Sequence, residues 1–214
     1  MPNIFDHVID YVKSSVSAAS AAEQAPSAAL HSWLQNSGYI PVGNVIKVGG
    51  ETYGPAVTRI SRTPLSFSTT EFKDLPGTQG QYLGQGPGLP PEIIIDPAAS
   101  RSAYGSVGPV IRHESIHAAM DHLPDEMQRD IAVSQPGYRK IANKLEKRWD
   151  GYMPVEVPAQ MGQGGASGIG ANRDVPIDKQ KSYMSSFMDS LQAVDPEVAG
   201  MVGRIIGGVQ TPRK

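Results

Sequence analysis

Two histidines four residues apart, His113 and His117, lie in a segment bounded by Pro109 and Pro124. Pro109 suits the first turn of a helix and Pro124 cannot continue one, so the segment predicts a helix from about residue 109 to about residue 122. Residues four apart on a helix project from the same face about one turn apart, so both imidazoles can bind one metal ion without backbone strain. The sequence therefore predicts a fold in which this helix directs both histidines toward one metal ion.

Glu114 completes the pattern His-Glu-Ser-Ile-His, or HExxH. It lies about 100° around the helix from His113, where its carboxylate can hydrogen-bond a metal-bound water without displacing it. We expect Glu114 to act as a general base. The expected ion is zinc, which lowers the pKa of bound water toward about 7 and polarises a scissile carbonyl. Chance produces this motif in roughly one of 200 chains of such composition.

A catalytic zinc needs a third protein ligand and an open fourth position. Because the chain has no cysteine, that ligand is a His, Asp or Glu. Glu156 is the leading candidate, since a lone carboxylate between Val155 and Val157 is costly to bury unless a positive partner such as a metal pairs with it. The alternative for this residue is a solvated Glu in a proline-rich turn. Asp121, four residues after His117, is the next candidate ligand, and it can instead accept a hydrogen bond from a ligand imidazole. Further competitors are His122, Asp125, Glu126 and Asp130.

A strand, a helix with HExxH and a later helix with a Glu together resemble the zincin fold and, within it, the gluzincin group of metallopeptidases, over about residues 90–162. The resemblance implies a zinc-dependent metallopeptidase that hydrolyses peptide bonds. It also implies a role for each matching residue. His113 and His117 match the helix ligands, Glu114 the general base and Glu156 the third ligand, while Ile93–Ile95 matches the edge strand that pairs with an extended substrate.

The resemblance leaves the subgroup and one catalytic role open. The longer metzincin motif HExxHxxGxxH is absent, because residue 120 is Met and residue 123 is Leu. No motif fixes the donor that would stabilise an oxyanion in the transition state. Tyr152 is preferred as a catalytic residue because it is near Glu156 in sequence, and the alternatives are Tyr138, His122 and Arg112.

The wider sequence pattern predicts an α+β fold, zincin-like, with a small and mostly antiparallel sheet and helical extensions at both ends. Strands are expected at residues 45–48, 57–60 and 93–95, loops at 74–91 and 97–106, and helices at 138–149, 177–194 and 196–206. The first two strands would form a hairpin. The expected domains are an N-terminal helical arm (1–36), a zincin-like metallopeptidase domain (37–162), and a Gly-rich linker with C-terminal helices (163–214).

Composition limits the partners of the chain. A net charge of −2 offers no basic surface of the kind that binds nucleic acid. No stretch approaches the roughly 20 apolar residues of a membrane span, and we expect no secretion signal. The expected protein is soluble, cytoplasmic or virion-associated, and acts on a peptide or protein substrate.

An alternative function rests on the segments outside the motif. Residues 3–23 have helical apolar spacing, which fits a helix docked on its own domain or an arm for homo-oligomerisation or larger assembly. A minimal peptidase needs neither this arm nor the Gly/Pro/Gln-rich loop. The alternative is therefore a structural or assembly protein, for example a virion component, that retains a zinc-binding zincin domain.

Overall fold

A computed structural model describes residues 39–41, 46–48, 51–53, 56–58, 64–67, 72, 77–84, 91–146, 154–165 and 175–207. Within them the chain is α+β, as the sequence predicts. The chain divides into two packing units between Val107 and Gly108. Outside the described residues lie the predicted N-terminal helical arm (1–36), Tyr152 and most of the Gly-rich linker. Among the described helices, none combines the length and apolar character that a membrane crossing requires.

The first unit contains a mixed sheet. Its described strands are β1 (Tyr39–Pro41), β2 (Ile46–Val48), β3 (Glu51–Tyr53), β4 (Ala56–Thr58), β5 (Pro64–Phe67), β6 (Gly80–Leu83) and β7 (Glu92–Ile95). Five of them are ordered β1-β4-β5-β7-β6, and β2 pairs separately with β3. The β5–β7 pairing is parallel, and the other described pairings are antiparallel.

Strand β7 corrects the expectation that Ile93–Ile95 forms a substrate-binding edge. It lies between β5 and β6, and both Ile93 and Ile95 are fully buried. Its continuous β-branched run is typical of a strand that is covered on both faces, and an interior strand has no free edge to offer a peptide. The backbone groups that an extended substrate would need are already paired with neighbouring strands.

Two further strand predictions are wrong. The segment 46–48 pairs with 51–53 rather than with 57–60, while 56–58 pairs with β1 and β5. The predicted loop at 74–91 contains β6. Strands of three residues are too short for alternation to fix their partners, and β6 lies in a segment rich in Gly, Pro and Gln, which is the composition of a loop.

Helix α1 (Pro97–Tyr104) replaces the predicted loop at 97–106. The Asp96 carboxylate accepts hydrogen bonds from the backbone N–H groups of Ala98 and Ala99 at 2.8 and 2.9 Å. Pro97 occupies the first turn, and Gly105 ends the helix with a φ of 74°. Asp96 and Pro97, which directly follow β7, therefore begin the helix, with Asp96 as its N-cap and Pro97 in its first turn.

The second unit is helical. It contains α2 (Gly108–Met120), α3 (Asp125–Ser134), α4 (Tyr138–Glu146), α5 (Glu156–Gly162), α6 (Ile177–Val194) and α7 (Pro196–Gly207). Helix α2 packs against α5 and α7, and α6 packs against α3, α5 and α7. The predicted helices at 177–194 and 196–206 are confirmed, and the expected domain boundary after residue 162 falls inside this unit. Helix α3 was not predicted.

The core of this unit is apolar and contains a few hydrogen bonds between helices. Tyr183 and Phe187 of α6 are almost fully buried and stack with ring centroids 6.2 Å apart. The Tyr183 hydroxyl donates to the Ala132 carbonyl at 2.9 Å, and the Ser186 hydroxyl donates to Gln135 Oε1 at 2.7 Å. These bonds satisfy polar atoms that would be costly to bury alone, and they fix α6 on α3.

Candidate metal centre

Helix α2 brings the two imidazoles of the HExxH motif together. His113 Nε2 and His117 Nε2 lie 3.2 Å apart, and the ring centroids are 4.9 Å apart with an interplanar angle of 69°. The helix is anchored by Ile111 and Ile116, which are fully buried. The two rings therefore share one side of α2, as their spacing of four residues predicts.

Helix α5 supplies the third side chain from its first turn. Glu156 Oε2 lies 3.2 Å from His113 Nε2, and Glu156 Oε1 lies 3.3 Å from His117 Nε2. The flanking Val157 and the nearby Ala159 are fully buried, whereas the Glu156 side chain is 34% exposed. Burial of one face of α5 therefore turns the carboxylate toward the two histidines.

A glycine sets the distance between α5 and α2. A Cβ on Gly162 would overlap Ile116 Cδ1, and it would also lie 3.4 Å from Ile206 Cγ1. Real Cβ atoms do not approach a neighbour as closely as the first of these contacts would require. The absence of a side chain at residue 162 thus lets the helix that carries Glu156 approach the helix that carries the histidines.

His113, His117 and Glu156 form a group that could hold a metal ion. Hydrogen bonds alone cannot account for the arrangement, because each Nε2 offers either one proton or one lone pair. If both Nε2 atoms donate to the carboxylate oxygens, their own 3.2 Å contact is left without a shared proton, whereas a cation between the three side chains would be attracted to all of them. In the described part of the chain, the other candidates are not members of this group; those exposed residues are Asp121, His122, Asp125, Glu126 and Asp130.

The electrostatics of the group favour an ionised carboxylate beside the histidines. Burial acts to raise the pKa of Glu156, but hydrogen bonds from His113 and His117 outweigh it and hold that pKa far below its usual range. Burial acts to lower the pKa of His113, but the carboxylates of Glu114 and Glu156 outweigh it and raise that pKa above its ordinary value of 6.5. The site therefore attracts positive charge.

These two shifts have opposite consequences for the metal-free fold. The raised pKa of His113 contributes stability that is fully present below pH 6.5 and is lost as the pH rises through the folded-state pKa. The lowered pKa of Glu156 contributes stability that is present above pH 4.5 and is lost as the pH falls through its folded-state pKa. From these two groups, the metal-free protein is most stable between about pH 4.5 and pH 6.5.

Glu114 lies next to the ligand group without being part of it. Its side chain is buried, with the residue 6% exposed, and within the described residues its carboxylate makes no hydrogen bond or ion pair. It is close enough to His113 to raise the pKa of that imidazole. A buried carboxylate with no protein partner in the described chain is available to accept a proton from a water at the site.

Three of the four residues considered for oxyanion stabilisation belong to the described part of the chain. Arg112 Nε donates to the Gln163 carbonyl oxygen at 2.7 Å. His122 is exposed beyond the end of α2, and Tyr138 is half-buried at the start of α4. Tyr152 lies outside the described residues. The role predicted for Tyr152 therefore stays a prediction.

Sequence reasoning missed Gln163, which directly follows α5. Gln163 is 2% exposed, and its Oε1 lies 3.2 Å from His113 Nδ1. The sequence offered no signal for it, because the segment Gln163-Gly164-Gly165 reads as the start of a flexible linker. A glutamine is compatible with both a solvated loop and a buried hydrogen bond, and only the packing of α5 on α2 distinguishes them.

Comparisons of the chain with protein-family models, with curated proteins and with solved structures found no match. The functional argument therefore depends on the chemistry and geometry of the side chains themselves. What they establish is a group of two imidazoles and one carboxylate that could hold a metal ion.

Proposed function

We propose that the chain is a zinc-dependent metallopeptidase in which His113, His117 and Glu156 hold the metal ion. The observation that carries the proposal is the close approach of the three side chains. The two Nε2 atoms lie 3.2 Å apart, Glu156 Oε2 lies 3.2 Å from His113 Nε2, and Glu156 Oε1 lies 3.3 Å from His117 Nε2. Zinc binds His nitrogen and carboxylate oxygen at about 2.0–2.2 Å with tetrahedral angles, which places neighbouring ligand atoms about 3.3 Å apart. The donor set and its spacing both suit zinc.

The number of ligands favours a catalytic rather than a structural zinc. Structural zinc sites are closed by four protein ligands, whereas catalytic sites use three and leave one position for water or substrate. In the described residues, three side chains converge here. The Glu156 side chain is also 34% exposed, so one side of the group is open to solvent.

Glu114 is proposed as the general base. A bound zinc would supply Lewis acidity, which makes water acidic enough to lose a proton near neutral pH and polarises a carbonyl. Glu114 would then take the proton from the attacking water and pass it to the departing amine. Its burial next to His113 and its lack of a protein partner in the described chain suit this role. The resemblance of the HExxH helix and the later Glu to gluzincins supports peptide bonds as the substrate.

The test combines metal analysis with one substitution. The full-length chain is purified, loaded with zinc and assayed on a panel of fluorogenic peptides and unfolded proteins. We expect one zinc per chain, and we expect Glu114→Gln to retain the metal while losing about 10²–10⁴-fold in kcat, the usual contribution of a general base. Glu126→Gln, at an exposed residue of α3 outside the ligand group, is the matched control and should keep parental activity.

Two results would separate the rival interpretations. A chain that binds no zinc at millimolar excess refutes the metal site and the enzyme together. A chain that binds one zinc but cleaves no member of the panel favours the alternative, a structural or assembly protein that retains a zinc-binding domain.

A further inference from the structure

Gln163 contacts the His113 ring at Nδ1, on the opposite edge from Nε2, the atom proposed to bind the metal. Its Oε1 lies 3.2 Å from Nδ1 of His113, while Nε2 of the same ring lies within 3.2 Å of His117 Nε2 and of Glu156 Oε2. An amide oxygen can only accept a hydrogen bond, so Nδ1 of His113 is the donor. In the neutral ring this leaves the lone pair on Nε2, which is the atom that faces His117 and Glu156.

The backbone of Gln163 is itself held on two sides. Its N–H donates to the Ala159 carbonyl at 2.9 Å, and its carbonyl accepts from Arg112 Nε at 2.7 Å. Arg112 and His113 are adjacent in sequence, so neighbouring residues of α2 hold the main chain and the side chain of one residue. This double attachment fixes where the amide oxygen lies relative to the His113 ring.

The turn after α5 is shaped to allow this attachment. The Gly165 N–H donates to the Gly162 carbonyl at 2.9 Å, and Gly165 has a φ of +64°. A Cβ at residue 165 would lie 3.2 Å from Arg112 Nε and 3.3 Å from the Ile206 carbonyl oxygen. A glycine is therefore favoured both by the left-handed backbone and by the close approach of the Arg112 side chain.

We infer that Gln163 is a positioning residue that fixes the tautomer and ring orientation of His113 for metal binding. Ligand histidines commonly donate their second ring N–H to such a partner, and the loss of that partner typically costs about 10–100-fold in metal affinity. The inference rests on the proposed function in so far as His113 is a metal ligand. It adds a role for a side chain that lies outside the HExxH motif and after the helix that carries the third ligand.

Three substitutions in the full-length chain test this role. Gln163→Met keeps the length of the side chain and removes the acceptor, and Gln163→Glu keeps an acceptor. Gln135→Met is the matched control, because Gln135 is an equally buried glutamine whose hydrogen bonds go to α3 and to serines of α6. The two readouts are the dissociation constant for Zn²⁺, measured against a competing chelator, and the ¹⁵N shifts of the His113 ring in the metal-free protein at alkaline pH.

We expect the dissociation constant to rise about 10–100-fold in Gln163→Met, to stay within about threefold of the parent in Gln163→Glu, and to be unchanged in Gln135→Met. We also expect the His113 ring to carry its proton on Nδ1 in the parent and to lose this preference in Gln163→Met. Equal affinity and equal ring shifts in the parent and in Gln163→Met would overturn the positioning role while leaving the metal site intact.

A parent chain that binds no zinc would instead refute the proposed function. The ring shifts would then decide the inference alone. An Nδ1–H tautomer that depends on residue 163 would support the positioning of His113, and an Nε2–H tautomer in the parent would refute it.

Discussion

The close approach of α5 to α2 can be tested by adding one methyl group and then removing another. Gly162→Ala places a Cβ where it overlaps Ile116 Cδ1, with Ile206 side-chain atoms 3.4 and 3.5 Å away. Because both isoleucines belong to packed helices, the added atom cannot be accommodated by a simple rotation into solvent. Either the Ile116 side chain takes another rotamer inside the packed core, or α5 shifts away from α2 and Glu156 moves with it.

The expected magnitudes follow from the atoms involved. Overpacking of this kind costs about 1–3 kcal/mol, partly offset by the better helix propensity of Ala. Ile116→Val removes the Cδ1 atom that the new Cβ would overlap, and by itself costs about 0.5–1.5 kcal/mol. In the double variant the added methyl group fills the space that Cδ1 leaves. The double variant should therefore be no less stable than Ile116→Val, with a coupling energy of about 1–3 kcal/mol.

The measurement is a double-mutant cycle on the metal-free protein, with the free energy of unfolding taken from urea titrations followed by circular dichroism. Gly200→Ala in α7 is the matched control, because its Cβ would meet the nearest heavy atom, Arg204 Nη1, at an ordinary 3.8 Å. It should stabilise the protein by about 0.5–1 kcal/mol. Additive effects of the Gly162 and Ile116 substitutions, or a Gly162→Ala variant as stable as Gly200→Ala, would refute the close packing of the two helices.

Two further predictions concern the ligands directly. The pKa of His113 is raised above 6.5, so its ring must lose a proton before it binds metal. Zinc affinity should therefore rise from pH 6 to pH 8, while the stability of the metal-free protein falls. A zinc affinity that stays constant over this range in chelator-competition titrations would contradict this prediction. Glu156→Gln should weaken zinc binding by at least about tenfold, because the ion loses an anionic ligand, whereas Asp121→Asn should leave the affinity unchanged. If the same titration shows a loss of affinity for Asp121→Asn and none for Glu156→Gln, Asp121 is the third ligand.

The convergence of His113, His117 and Glu156 could be predicted because its main elements are local. The spacing of two histidines on a helix fixes their relation whatever the rest of the chain does. Glu156 could be singled out because a charge between two valines needs a partner; of these valines, Val157 is fully buried and Val155 is half-buried. These inferences use geometry within one turn of a helix or the cost of burying one charge.

The sheet could not be predicted to the same extent, because strand pairing is a long-range property. Ile93–Ile95 is a clear strand in the sequence, and its continuous β-branched run fits a strand covered on both faces, but the run does not identify which strands pair with it or that its β5 neighbour is parallel. Gln163 was hidden for a related reason. Its contact with His113 joins residues 50 apart in sequence and exists because Gly162 lets α5 pack tightly on α2.

The composition of α2 explains why other helices, including the C-terminal helix α7, pack against it. Buried residues occur all around this helix, including Val110, Ile111, Ile116, Ala119 and Met120. A helix that is buried all round needs partners on several sides. Helix α5 covers one side and α7 another, and α6 packs against both of these helices. The two imidazoles therefore project from a helix held on several sides, and we infer that this support keeps them 3.2 Å apart and within 3.3 Å of the Glu156 carboxylate on α5.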